Sequence, residues 1–150
     1  MECLTCSSVS RRKKISPGPI IYESRYWLVD HAYPCRLTGW LVIILKRHCS
    51  ALHELTREEF IELGEATYKA VNALHDVLGC EKEYSVCFAE KEGFNHIHFH
   101  IVPRAVRLSD DLKGANIFSL LKSGQEDAVP EKDVIAICNE LKMRFSQKNK

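Results

Sequence analysis

The sequence predicts an α+β fold: an antiparallel sheet with one long helix and a second helix near the C-terminus. Three observations lead there. Short runs rich in β-branched and aromatic residues recur along the chain. Two stretches keep a helical apolar stripe. Strands and helices do not alternate as repeated βαβ units, which argues for an antiparallel sheet. At 150 residues the chain is read as one domain, 1–150, long enough to bury a sizeable core.

The elements follow in order. Residues 1–19 form an N-terminal segment holding Cys3-Leu4-Thr5-Cys6, the basic run Arg11-Arg12-Lys13-Lys14 and the turn Ser16-Pro17-Gly18-Pro19, with the basic run expected to be a solvated loop. Residues 20–22 and 26–29 read as short strands. Pro34 and Gly39 mark 31–39 as a loop. Residues 40–45, Trp-Leu-Val-Ile-Ile-Leu, are a near-continuous apolar strand, which implies burial on both faces. Thr56 is placed to cap a helix, with Glu59 completing a capping box. Phe60, Leu63, Thr67, Ala70, Val71, Leu74, Val77 and Leu78 carry its stripe, and Gly79 stops it. A strand over 84–88, a turn at Lys91-Glu92-Gly93 and a histidine-rich strand ending at Pro103 should pair antiparallel. The remainder, 105–150, is a C-terminal extension with a short helix over 116–122. A longer helix follows Pro130, with Val134, Ile137, Cys138, Leu141 and Phe145 on one face.

Composition bounds the function. The formal net charge of +1 gives no global field to attract nucleic acid or an anionic membrane. No apolar run is long enough to span a bilayer; the best is the six-residue strand at 40–45. The N-terminus lacks the basic-then-apolar layout of a signal peptide. Seven cysteines, an odd number scattered along the chain, fit reduced thiols better than a disulfide framework. A cytoplasmic protein without nucleic-acid or membrane partners is expected.

Asn95-His96-Ile97-His98-Phe99-His100-Ile101-Val102 holds three of the seven histidines at alternate positions. On a strand this alternation sends His96, His98 and His100 to one face and the apolar residues to the core face, with histidines about 6.5–7 Å apart at Cα. Three readings compete. The row can be a chance cluster on a polar sheet face. It can be part of a metal-dependent hydrolase, though the next carboxylates, Asp110 and Asp111, lie beyond the strand. It can also serve nucleophilic catalysis at phosphorus, the middle imidazole attacking while its neighbours orient it and hold phosphate oxygens. An imidazole near its usual pKa is partly neutral at pH 7, so this chemistry needs no metal.

His96-Ile97-His98-Phe99-His100-Ile101-Val102, followed by Pro103-Arg104, resembles the signature of the histidine triad family. The apolar strand running into Leu45-Lys46-Arg47-His48, then Leu55-Thr56-Arg57-Glu58-Glu59 and a helix, is similar to the segment before that family's long helix, so the likeness runs from about residue 20 to 104. It implies a sheet of about five strands, a homodimer, and a hydrolase or nucleotidyl transferase acting on the α-phosphate of a dinucleoside polyphosphate or nucleoside phosphoramidate. By that resemblance His98 is the nucleophile, His100 contacts the phosphate and His96 orients its neighbour. Asp30 resembles the residue that binds the ribose hydroxyls.

Two departures stand out. The Gly-Gln-Ser/Thr-Val stretch that relatives carry before the triad is replaced by Glu90-Lys91-Glu92-Gly93-Phe94-Asn95. Trp40 stands where relatives often have a histidine. A nucleotide-binding module with little catalysis is therefore the rival to an enzyme, beside the metal-dependent hydrolase. Cys3-Leu4-Thr5-Cys6 has the spacing of half a zinc site. Some bacterial triad proteins complete such a pair with two histidines; carried over, the ligands of a structural zinc are Cys3, Cys6, His48 and His96.

Overall fold

The computed structural model describes residues 2–147. Strands β1 (Tyr22–Glu23), β2 (Trp27–His31), β3 (Leu41–Leu45), β4 (Lys82–Val86) and β5 (His98–Arg104) form one antiparallel sheet in the order β1-β2-β3-β5-β4. Helix α1 covers Leu4–Val9, α2 Arg57–Leu78 and α3 Glu131–Ser146. The expected fold class is the one observed, with shifts at the element ends. The strand read over 84–88 lies at 82–86, and the short helix read over 116–122 is a 3-10 helix at Gly114–Leu120. Helix α1 has no counterpart in the sequence reading.

Residues paired directly across antiparallel strands share a face of the sheet. Leu28 pairs with Ile44 and Ile44 with His98; Asp30 pairs with Val42 and Val42 with His100. These two rows line one face. The opposite face presents Trp27, Val29, Leu41, Ile43, Leu45 and Ile101, all buried against Leu63, Ala66, Ala70, Ala73 and Leu74 of α2. The alanines let the helix lie close to the strands, and a fully buried leucine such as Leu74 contributes about 2 kcal/mol by leaving water.

One carboxylate ties the first turn of α2 to the rest. The Thr56 hydroxyl accepts from the Glu59 amide at 3.2 Å and the Glu59 carboxylate accepts from the Thr56 amide at 2.8 Å, the expected capping box. The same carboxylate takes both forks of Arg47, at 2.7 and 2.9 Å. The Glu59 carbonyl also accepts from the Trp27 indole at 2.8 Å. Helix start, sheet core and the residue beside His48 are thus joined through Glu59, which is only 2% exposed. Arg47 holds the Glu59 carboxyl below its ordinary range.

Gly39 closes the β2–β3 loop. Its φ of +88° suits glycine, and a Cβ there would lie 2.5 Å from Leu78 Cδ1. Its amide donates to Nε2 of buried His31 at 2.9 Å, and His31 Nδ1 donates to the Ala32 carbonyl at 2.7 Å. Both imidazole nitrogens are therefore used structurally, and burial holds the His31 pKa down. This turn delivers Trp40 to the sheet.

Arg47→Ala should cost about 2 kcal/mol at pH 7 by stranding a buried carboxylate, measured by urea unfolding. Because the folded pKa of Glu59 is depressed, the pair stabilises fully above its ordinary value of 4.5 and loses its effect as pH falls through the lower folded value. The gap between wild type and variant should therefore narrow in acid.

Candidate active site and metal centre

The face carrying His98 and His100 floors a cavity of about 560 Å³. Its walls come from Thr5, Ser8, Ile15 and Ser16 of the N-terminal segment, the loop from His31 to Pro34, the turn from Phe88 to Lys91 with Phe94, and Phe118 with Leu121–Ser123 of the C-terminal extension. Asp30, Val42 and Ile44 complete the floor. A largely apolar enclosure with a few convergent polar groups is the usual form of a small-molecule site.

His98 Nδ1 lies 2.7 Å from the His96 backbone carbonyl. A carbonyl only accepts, so Nδ1 carries the proton and Nε2 is bare in the neutral ring. Burial lowers the His98 pKa, which keeps the ring neutral near pH 7. The His98 and His100 rings sit 5.0 Å apart between centroids, as their shared face requires. His100 Nδ1 accepts from the indole N–H of Trp40 at 3.0 Å. Burial, helped by neighbouring His98, pushes the His100 pKa down to about 4. Phe118 meets the Trp40 and His100 rings edge-on, 5.1 Å from each.

Asp30 lies two strands away in the His100 row. Its carboxylate accepts from the His31 amide at 2.8 Å and from the Ser16 hydroxyl. Burial raises its pKa to about 6 against those bonds and the charge of Lys14. A second cavity, about 750 Å³, adjoins across Asp30 and shares Ser8, Ile15 and Ile44 with the first.

His96 departs from the expectation that all three imidazoles share a face. Strand β5 begins at His98, so the alternation does not extend to His96. The His96 ring is fully buried and turns to the N-terminal cysteines: Nδ1 is 3.6 Å from Cys3 Sγ and 3.4 Å from Cys6 Sγ. Nε2 donates to the Leu45 carbonyl at 2.6 Å, which leaves Nδ1 bare toward the thiols. His48 Nδ1 is 3.4 Å from Cys6 Sγ. The four ligand atoms of Cys3, Cys6, His48 and His96 all lie within 4.8 Å of one another. A tetrahedral ion with metal–sulfur and metal–nitrogen bonds of zinc length sets S···N edges at about 3.5 Å, so this donor set fits zinc. The Leu45 carbonyl supplies the outer hydrogen bond that orients a ligating imidazole. Burial and the adjacent Cys3 raise the Cys6 pKa, a cost that a bound cation would offset.

A second group, His75, Cys80 and Glu83, is satisfied internally. The Cys80 thiol donates to Glu83 at 3.1 Å and His75 Nδ1 to the Cys80 carbonyl at 3.1 Å. Sequence reasoning missed Trp40 as the partner of His100, Phe118 as a wall, and Ser16 at Asp30. Only Trp40 gave a signal: an indole N–H, which must find an acceptor when buried, in an otherwise apolar run.

The HIT domain family model matches residues 13–106, well over half of the chain. No curated protein matches. Among solved structures, a Hit-like protein from Bartonella henselae, described as involved in cell-cycle regulation and holding an unknown ligand, aligns at a TM-score of 0.69 with 15% identity, covering 94% of this chain and 95% of that one. A hypothetical histidine triad nucleotide-binding protein from Sulfolobus tokodaii aligns at 0.70 with 16% identity, covering 95% and 91%. A Zn-bound histidine triad family protein from Mycobacterium smegmatis aligns at 0.59 with 21% identity, covering 93% and 94%. The matched region contains the His96-x-His98-x-His100 strand and the long helix, and the chain belongs to the HIT domain family, the histidine triad proteins.

Proposed function

We propose that the protein is a nucleotide hydrolase or nucleotidyl transferase that attacks the α-phosphate of a dinucleoside polyphosphate or a nucleoside phosphoramidate. One observation carries this reading. His98 commits Nδ1 to the His96 carbonyl, and its bare Nε2 has no hydrogen bond among the described residues while the ring lines a cavity shared with His100 and Asp30. The Nε2 lone pair forms a bond to phosphorus as the bond to the leaving oxygen or nitrogen breaks, and the leaving group departs with that electron pair. The nucleotidyl-imidazole is cationic while Nδ1 keeps its proton, and the His96 carbonyl dipole stabilises that charge. Water then attacks phosphorus and gives up a proton to solvent, matching the one the leaving group takes from solvent; the P–N bond returns its electrons to Nε2, and the mononucleotide leaves. His100 contacts the phosphate, and Asp30 accepts the ribose hydroxyls. His96 supports the nucleophile through its backbone while its ring serves the metal site.

Zinc belongs to this reading, held by Cys3, Cys6, His48 and His96, where it supplies a cross-link between the N-terminal segment, the end of β3 and the entry to β5. A closed set of four protein ligands leaves no open position for substrate, which argues against the metal-dependent hydrolase. A cytoplasmic homodimer completes the proposal. Strand β4 ends the sheet, and exposed Phe60, Ile61 and Tyr68 lie on α2. No helix among the described residues is long and apolar enough to cross a membrane.

His98→Ala should reduce release of AMP from diadenosine polyphosphates and adenosine phosphoramidates by at least about a thousandfold, measured by chromatography. Undiminished turnover would sink the mechanism. Elemental analysis should find one zinc per chain. Cys6→Ser should lose it and lower Tm by roughly 5–10 °C. Chelator should act on activity only as fast as it unfolds the protein.

Asp30 supplies a pH test. Its folded pKa is raised, so its charge costs stability increasingly from its ordinary 3.8 up to about 6 and fully above that. Asp30→Asn should therefore stabilise the fold at pH 8, by up to about 3 kcal/mol, and do little at pH 4. The same variant should weaken nucleotide binding, and in the unaltered protein KM should rise as pH falls below about 6. Equal Tm values for the two proteins at pH 8 would contradict the buried-carboxylate account.

A further inference from the structure

We propose that Trp40 is a positioning residue of the reaction: its indole N–H locks His100 in the tautomer that presents Nε2–H to the cavity. This rests on the reading of His100 as the phosphate contact, and it assigns the source of the donor that contact needs. Trp40 is fully buried at the entry to the central strand β3, where the Gly39 turn delivers it. An indole nitrogen has one hydrogen, no lone pair in the ring plane and no second option, so it can only donate. The atom it meets, 3.0 Å away, is His100 Nδ1.

A neutral imidazole carries one proton. With Nδ1 accepting from Trp40, that proton must sit on Nε2. The alternative tautomer would set two N–H groups against each other and leave a buried indole donor without a partner. The imidazolium form meets the same obstacle, and this agrees with the low pKa that burial imposes on His100. His100 Nε2 makes no hydrogen bond among the described residues. Ser123 Oγ is the one buried side-chain polar atom left unpartnered there, so His100 Nε2 keeps access through the cavity. Phe118 packs edge-on against the Trp40 and His100 rings and holds that pair in register.

Adjacent histidines on one face thereby present opposite characters. His98 has Nδ1 bound to an acceptor and offers a lone pair; His100 has Nδ1 bound to a donor and offers a proton. A nucleophile and a hydrogen-bond donor for the non-bridging oxygens come from the same residue type, sorted by what stands behind each ring. The bond from Trp40 does not touch substrate, so its effect is on the donor's orientation and protonation, not on ground-state contacts.

The test replaces Trp40 with Phe, which keeps an aromatic ring and removes the N–H. Proton–nitrogen correlation spectra of protein labelled with 15N-histidine, recorded at pH 7 without ligand, read the tautomer directly. The unaltered protein should show His100 with a protonated Nε2 and a bare Nδ1, and Trp40→Phe should show a mixture. In the same variant kcat for AMP release should fall about tenfold with little change in KM, less than loss of a transition-state donor outright. Trp40→His, which can again offer an N–H, should restore part of both. A protonated Nδ1 on His100 in the unaltered protein overturns the proposal, and this measurement decides even if the Phe variant fails to fold. An unchanged tautomer in Trp40→Phe, or a changed tautomer with unchanged kcat, also overturns it. Absence of turnover in the unaltered protein would count against the proposed function, while the spectra would still decide the tautomer.

Discussion

The site depends on a property of the imidazole ring: when one nitrogen is committed, the other has its character decided. Each histidine of the row has one nitrogen fixed by a neighbour that cannot change role. The Leu45 carbonyl fixes His96 Nε2, the His96 carbonyl fixes His98 Nδ1, and the Trp40 indole fixes His100 Nδ1. Burial lowers the pKa of all three, so none escapes its assignment by taking a second proton at neutral pH. Two of the three partners are backbone carbonyls, which are placed by sheet pairing and the chain entering it and not by side-chain rotamers. The chemistry is therefore set by the fold at the level of the main chain.

That main chain is held from behind. Glu59 joins the start of α2 to Arg47, and Arg47 precedes His48 at the end of β3. The Glu59 carbonyl accepts from the Trp27 indole, which fixes the helix against the core face of β2. The opposite face is left for the cavity, roofed by the N-terminal segment and by the C-terminal extension. Cys3 caps α1 with its own sulfur, and the Leu4 amide donates to Gly93. The first residues of the chain are thus anchored next to the turn that leads into β5.

What the sequence revealed follows from the range of the forces involved. Helix α2 was legible because Thr56, Glu59 and Gly79 act within a few residues of one another. The histidine strand was legible because a two-residue period survives in the sequence. The shared face failed at His96 because the strand starts two residues later than the pattern suggests, and the ring follows the cysteines instead. Helix α1 has six residues, is capped by a cysteine sulfur where an oxygen is usual, and is anchored by the distant Gly93, so no familiar local signal marks it. Trp40 and His100 are sixty residues apart, so their bond appears only when β3 and β5 pair. Phe118 lies in a 3-10 turn whose apolar residues have no clear periodicity to read.

The row Asp30–Val42–His100 crosses three strands, and the spacing of hydrogen-bonded strands is nearly invariant at about 4.8 Å. The sheet therefore works as a ruler with fixed graduations. Loops can lengthen and the walls can be repainted, yet the backbone distance between the carboxylate and the imidazole stays at two divisions. Substitutions in the extensions can alter what surrounds the cavity while leaving untouched the span between these two groups.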